Sequence, residues 1–413
     1  MKKGVVYMRR LAVLYLFLLL MVILTGCWNR TELNEIGLIS ALGIDRGENG
    51  WIVSYQLINP STISSNAAGG GMSGGAGAPV HVFSSEGPTL REAIDVSYTE
   101  TPRRLYFPHA DVLILGKEAA SKGIRDIIDF YWRNPNLREN VNVLVTNGLA
   151  SEMLKQLIPP ERLPGSAIAN ISRQTAKFNN NYPSIKMFEL TRSLVSESHA
   201  AGVPQIELVE EFSSNKVESM DQLNKTSTPT KLRITGLAAF QKDRWIGLLT
   251  QDESFGISWL TDKVQFSTLS FPCPGENEPG LLSYQTNAAN TKVKLMKEGD
   301  EYTFKVSVDV KGRVTETSCP TDLSNLSNLH AAEKEIQEVI KQHMLQGWEA
   351  CKRLHVDLPH FADYIHRKYP EEWSQIKERW ETEGIPSTRL VLQVTASISQ
   401  TGMSQKAFEP DEN

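Results

Sequence analysis

Three stretches, IGLISALGID (36–45), ADVLILG (110–116) and VNVLVT (141–146), are apolar without polar alternation, and they restrict the fold more than any other feature of the chain. A strand of this kind has to be covered on both faces, which calls for a sheet with helices packed on it. Between the second and third stretches, Ile124, Ile127, Ile128 and Tyr131 recur at i, i+3, i+4 and i+7, the spacing of an amphipathic helix. Strand, helix and strand in that order predict a βαβ unit within a mixed sheet. WIVSYQLINP (51–60) reads as a strand beside the first, ended by Pro60, and VHVFSS (80–85) as a further short strand. EGPTLREAIDVSY then starts a helix with Thr89 as N-cap and Glu92 at the third helical position.

From about 202 to 230 the chain turns polar and loses periodicity, which reads as an interdomain connection. LRITGLAAF and WIGLL flank QKDR as a hairpin, TQDESFGISWL follows, and CPGENEPG (273–280) is the next turn-rich break. In TFKVSVDV, Phe304, Val306, Val308 and Val310 alternate with polar residues, a half-exposed strand. Leu329, Ala332, Ile336, Val339, Ile340, Gly347, Cys351 and Leu354 share one stripe of a long helix. RLVLQVTASI places Leu390, Leu392, Val394, Ala396 and Ile398 on one strand face, predicting a sheet with the helix laid across it. The expected fold class is α+β in three domains, each a mixed or antiparallel sheet packed with helices. Their expected limits are 27–205 for a membrane-proximal N-terminal α/β domain, 206–275 for a small β-rich middle domain, and 276–413 for a C-terminal α+β domain carrying the long helix.

Ahead of these lies a different kind of segment. Lys2, Lys3, Arg9 and Arg10 precede LAVLYLFLLLMVIL, a basic region followed by an apolar one. That apolar run spans only ~21 Å as a helix, short of a comfortable membrane crossing, so residues 1–26 read as a signal peptide that is removed. Leu24-Thr25-Gly26-Cys27 resembles the lipobox of bacterial lipoproteins, in which the cysteine receives diacylglycerol in thioether linkage and an N-acyl chain. Cys27 is the expected lipidation site, and two or more acyl chains give stable anchoring at ~0.8 kcal/mol per buried CH₂. Asn29 and Glu32 have capping-box spacing, so folded structure is expected almost at the lipid, with the first domain flush against the bilayer. No later apolar run reaches 18 residues.

The net charge is −5, and loss of residues 1–26 would remove four cations and no acid, an acidic balance that argues against a nucleic-acid partner. Cys273, Cys319 and Cys351 would then remain, an odd number that permits one pair and does not say which. A literal G-x-G-x-x-G occurs at Gly69, Gly71 and Gly74, but VHVFSS follows it where a phosphate-binding turn needs a helix N-terminus, so residues 66–79 read as a hairpin loop. Cys351 and His355 at i and i+4 could share a metal with His360 or His366, yet Pro359 interrupts the helix between them and they read as ordinary helix residues. Asp252 and Glu253 are adjacent; as strand neighbours they would point to opposite faces, and a capping or turn role is expected. No catalytic, metal or cofactor site is expected.

Over nearly its whole length the chain resembles the Ger(x)C family of endospore-forming bacteria, the lipoprotein C subunits of spore germinant receptors. The resemblance is carried by GCWNRTELNEIGLISALGID, EGPTLREAI, RRLYFPHADVLILGKE, IDFYWRNPNLRENVNVLVT, ITGLAAFQKDRWIGLL, DYIHRKYPEEW and ISQTGM, in that order. It implies a non-enzymatic subunit of three α+β domains, lipid-anchored at Cys27 on the outer face of the inner spore membrane. It further implies assembly with receptor A and B subunits in the response to amino-acid or sugar germinants. The Gly-rich insertion at 66–79 and Gln400 depart from the family's usual pattern. Two other classes stay open: a solute-binding lipoprotein of a transporter, which predicts two similar lobes around a cleft, and an envelope hydrolase, which predicts dependence on one carboxylate such as Glu253.

Overall fold

The computed structural model describes residues 2–23, 35–60, 77–210, 230–274, 280–299, 301–320 and 322–400. The fold is α+β, built on two sheets. The larger has the order β3-β2-β1-β5-β6-β7-β8-β9, with β4 paired to β1. Its strands are β1 (Ile36–Arg46), β2 (Trp51–Ile58), β3 (Val80–Gly87), β4 (Arg104–Tyr106), β5 (Val112–Leu115), β6 (Asn142–Val145), β7 (Ala200–Glu210), β8 (Thr230–Gln241) and β9 (Arg244–Leu249). The strands β1, β4, β5 and β6 run parallel; β2 and β3 at one side, and β8 and β9 at the other, are antiparallel additions.

The apolar runs occupy the centre of this sheet for the reason their composition suggests. Alternate residues of β5 enter two different clusters, Val112 and Ile114 on one face, Leu113 and Leu115 on the other. Helices Leu90–Glu100, Arg125–Arg133 and Met187–Val195 cover the second face through Ile94, Ile127, Tyr131 and Leu190. The Thr89 cap forms, its hydroxyl accepting from the Glu92 N–H, and the strand, helix and strand around Ile127 make the expected parallel crossover.

The first face is covered by helices Pro164–Gln174, Gln251–Leu260 and Leu326–Leu354, and its apolar cluster continues without a break into the second sheet. That sheet has the order β10-β11-β12-β13, with β10 (Thr268–Pro272), β11 (Leu281–Glu298), β12 (Glu301–Thr317) and β13 (Arg389–Gln400). On β12 the alternation is realised as read: Phe304, Val306, Val308 and Val310 are buried, and the long helix lies over the sheet with Ala332, Ile336, Ile340 and Met344 inward. Trp259 and Trp348, both fully buried, sit in the shared core, where each large side chain contributes roughly 1.5–3 kcal/mol or more of transfer free energy. Helices Gln251–Leu260 and Leu326–Leu354 cross closely because glycines face each other there. A Cβ on Gly256 would overlap the His343 carbonyl oxygen, and one on Gly347 would lie 2.8 Å from the Glu253 oxygen.

Sheet pairing crosses both of the boundaries expected from sequence. The polar connection read over 202–230 begins later, because β7 runs to Glu210 and pairs with β8 from Glu210↔Thr230 to Ala200↔Gln241. The QKDR hairpin forms as β8 and β9, but it extends the first sheet through β7, whereas β10 joins the C-terminal sheet through β11. A period of two identifies a strand, and only long-range hydrogen bonding decides which sheet receives it. TQDESFGISWL is a helix, with Thr250 and Glu253 forming a reciprocal capping box. Of the three cysteines that sequence left unassigned, Cys273 and Cys319 are bonded, and Cys351 is free and buried.

Candidate functional site

Cys27, with Leu24 to Gly26 before it, lies outside the described residues. The leader is helical over Lys2–Ile23, and no helix among the described residues is long and apolar enough to cross a membrane. Gly69, Gly71 and Gly74 also lie outside them. The strands flanking that segment pair antiparallel, Ile58 opposite Val80, so it connects a hairpin and not a strand to a helix.

The residues weighed as metal ligands go to separate partners. Burial pushes the Cys351 thiol upward, away from the thiolate a metal would need. His355 Nδ1 lies 3.1 Å from the Glu381 carbonyl oxygen, His360 Nδ1 is 3.4 Å from both Ser196 Oγ and Asp363, and His366 Nδ1 is 3.3 Å from Glu197. No group of three or more His, Cys, Asp or Glu side chains among the described residues could hold a metal ion. Glu253 caps its helix and accepts from Arg353 at 2.7 Å. Its carboxyl is held below the ordinary range because the Arg353 and Thr250 hydrogen bonds outweigh burial, which is the largest single influence and acts upward.

What these histidines share is a place: a polar joint between the two sheets. Residues Ser196 to His199, between helix Met187–Val195 and β7, dock on the segment 357–381. The Glu197 N–H donates to Asp363 Oδ1 at 3.0 Å, and the Glu197 carboxylate accepts from Trp373 Nε1 at 2.6 Å. Ser198 Oγ donates to Asp357 Oδ2 at 2.9 Å. Asp357 is fully buried and also accepts from the N–H groups of Phe361 and Ala362 and from Trp380 Nε1. Burial raises its carboxyl, against the pull of the Ala362 and Phe361 amides, His360 and Ser198. For Asp363 burial also acts upward, but His360 and the Glu197 amide outweigh it and the carboxyl is held low. On β8, Gln241 Nε2 donates to Glu381 Oε1 at 2.8 Å. Beside the joint lies a cavity of about 580 Å³, reached by Leu237 of the large sheet and Val293 of the second and lined by Arg192, Lys263, His360 and Asp363 among others. The carboxylates here are occupied by amide, hydroxyl and indole donors, so the chemistry is that of positioning: it fixes one sheet against the other.

From the stretch DYIHRKYPEEW, Asp363, His366 and Trp373 are the joint's contacts to Glu197. Glu197 and Ser198 had no local signal, since the side chains they meet, Asp363, Trp373 and Asp357, lie 159 to 176 positions away. A second convergence involves three more of the stretches that carry the family resemblance. EGPTLREAI, RRLYFPHADVLILGKE and IDFYWRNPNLRENVNVLVT meet around a cavity of about 410 Å³ floored by Ile94, Leu105 and Phe107 and edged by Arg91, Arg104 and Tyr106. An adjacent cavity of about 590 Å³ shares Arg91, Asn134 and Asn136 with it.

Comparison with known proteins divides the chain in two, with β9 and most of β8, although they extend the large sheet, falling in the C-terminal match. Residues 29–208 match the spore germination protein N-terminal domain, and residues 235–402 match the C-terminal domain of the spore germination B3/GerAC-like proteins. Spore germination protein KC of Bacillus subtilis (strain 168) is 28% identical over 401 residues, covering 96% of this chain and 97% of that one. Spore germination protein B3 of the same organism is 23% identical over 87% of this chain and 89% of its own length. A crystal structure of the GerBC protein aligns over 87% of this chain and 97% of that chain, with a TM-score of 0.49 and 16% identity. With both domains of one family matched in order along the chain, it belongs to the GerAC-like, or Ger(x)C, family of spore germination proteins, the C subunits of germinant receptors.

Proposed function

We propose that the chain is a lipid-anchored, non-enzymatic receptor subunit, attached through Cys27 to the outer face of the inner spore membrane. It acts by docking on the receptor A and B subunits. The observation that carries this reading is the match to spore germination protein KC over 96% of the chain, together with the basic and apolar leader that ends at Cys27. A subunit without chemistry of its own shifts a receptor's equilibrium only through contacts that differ between its two states. A body whose two sheets share one core and are fixed by a polar joint suits that task, because it presents its surfaces at constant separation.

The test is purification of the tagged chain from detergent-solubilised spore membranes, with mass spectrometry of what accompanies it. Recovery with two polytopic spore-membrane proteins is expected; recovery with a permease and an ATPase would replace this reading with that of a transporter's solute-binding lipoprotein. Cys27→Ala is expected to move the chain to the soluble fraction, and an unchanged membrane fraction would overturn the anchor.

A further inference from the structure

One end of the large sheet, where the parallel strands β1, β4, β5 and β6 begin, carries a concentration of positive charge that the receptor-subunit reading leaves unexplained. Two cavities meet there, of about 410 and 400 Å³, sharing Leu38, Pro108 and His109. The first is lined by Arg91 and Arg104, the second by Arg138, Arg173 and Lys186. Among the described residues the single carboxylate lining either is Asp111, which accepts a hydrogen bond from Ser166 Oγ at 2.8 Å. Arg91 pairs with Asp95 and Arg173 donates to Asn170, while Arg104 and Arg138 are exposed and make no ion pair among the described residues. In a chain with a net charge of −5 this is a local reversal of sign, and such a patch selects an anionic partner.

The patch also has an apolar floor and an aromatic rim. Ile94, Leu105 and Phe107 lie beneath it, and Tyr98 and Tyr106 stand exposed at its edge. Tyrosine beside arginine over an apolar base is the composition of a surface that sits at the level of lipid headgroups. Position agrees: β1 starts at Ile36, nine residues after Cys27, so an acyl chain on Cys27 would hold this end of the sheet within ~32 Å of the bilayer. We propose that the face formed by Arg91, Arg104, His109, Arg138, Arg173 and Lys186 binds the phosphodiester headgroup of an anionic phospholipid. The guanidinium forks grip phosphate oxygens, and the tyrosines lie among the glycerol backbones. This rests on the Cys27 anchor, and adds to it a fixed orientation: the joint and the second sheet are then carried at a set angle toward the partner subunits.

The experiment uses the full lipidated chain, taken from membranes in detergent and reconstituted into vesicles of phosphatidylcholine, with or without phosphatidylglycerol. Hydrogen exchange is read on peptides covering 90–109 and 134–142. Exchange about fivefold or more slower with phosphatidylglycerol is expected, the ratio that attraction of about one surface cation provides. High salt, or the pair Arg104→Glu and Arg138→Glu, should abolish the difference while the chain still floats with the vesicles. Equal exchange on both vesicles overturns the proposal. If the chain fails to float with neutral vesicles, the Cys27 anchor falls, and this proposal with it. If glycerol phosphate in solution slows exchange equally on neutral vesicles, the occupant is a free phosphate and the lipid assignment is wrong.

Discussion

Ser198 Oγ donates a hydrogen bond to the fully buried Asp357 carboxylate across 2.9 Å, although the two residues are 159 positions apart and belong to segments packed on different sheets. Asp357 gathers three further donors, the amides of Phe361 and Ala362 and the Trp380 indole. Asp357→Ala strands all four in a buried site. It is expected to destabilise the chain by about 3 kcal/mol or more, and Ser198→Ala by about 1 kcal/mol. Urea unfolding of the two single variants and the double variant measures both, together with their coupling. Additive effects would show that the joint does not act as a unit.

The helix crossing at Gly256 and Gly347 predicts sensitivity to a single methyl group. Gly347→Ala places a carbon 2.8 Å from the Glu253 carbonyl oxygen, backbone that cannot turn aside, and the helices must separate. Even though alanine is the better helix former, a loss of about 1–3 kcal/mol is expected. Thermal denaturation followed by circular dichroism decides it, and a raised melting temperature would contradict the packing described.

Cys273 and Cys319, 46 positions apart, tie the end of β10 to the segment after β12, and both are buried. Restricting a loop of that size in the unfolded chain contributes about 4 kcal/mol on the chain-entropy account. Cys273→Ser with Cys319→Ser should therefore lower the urea midpoint substantially. Reductant should lower it in the native chain and leave the variant unchanged.

His343, half-buried on the long helix with its ring 5.1 Å from that of Phe255, has its pKa lowered by burial despite the opposing influence of Asp252. The unfolded chain takes up this proton near pH ~6.5, and the folded chain only at lower pH. Between those two values the unfolded state binds more protons, so stability falls as pH drops below about 6.5 and is independent of this group above it. His343→Gln should flatten that part of the stability profile, read from urea midpoints at successive pH values. A profile identical to that of the native chain would exclude the assignment.

The sequence by itself determined the elements whose signals are local. The runs around Ile39, Leu113 and Val143 became central strands, Thr89 became a cap, and the stripe from Ala332 to Cys351 became the buried face of the long helix. Apolar periodicity and capping act over a few residues, so they can be read without the fold. Tertiary structure alone decided where β7 to β10 belong, because a strand's hydrogen-bond partner is set by packing across the chain. It also chose Cys319 as the partner of Cys273 and assembled Glu197, Ser198, Asp357 and Trp373 into one joint. The basic face is of the same kind: Arg104 and Lys186 lie far apart in sequence and become one patch only where the parallel strands start together. Charge at a single position is legible in a sequence, while the field of a surface is a sum over positions that only folding brings together.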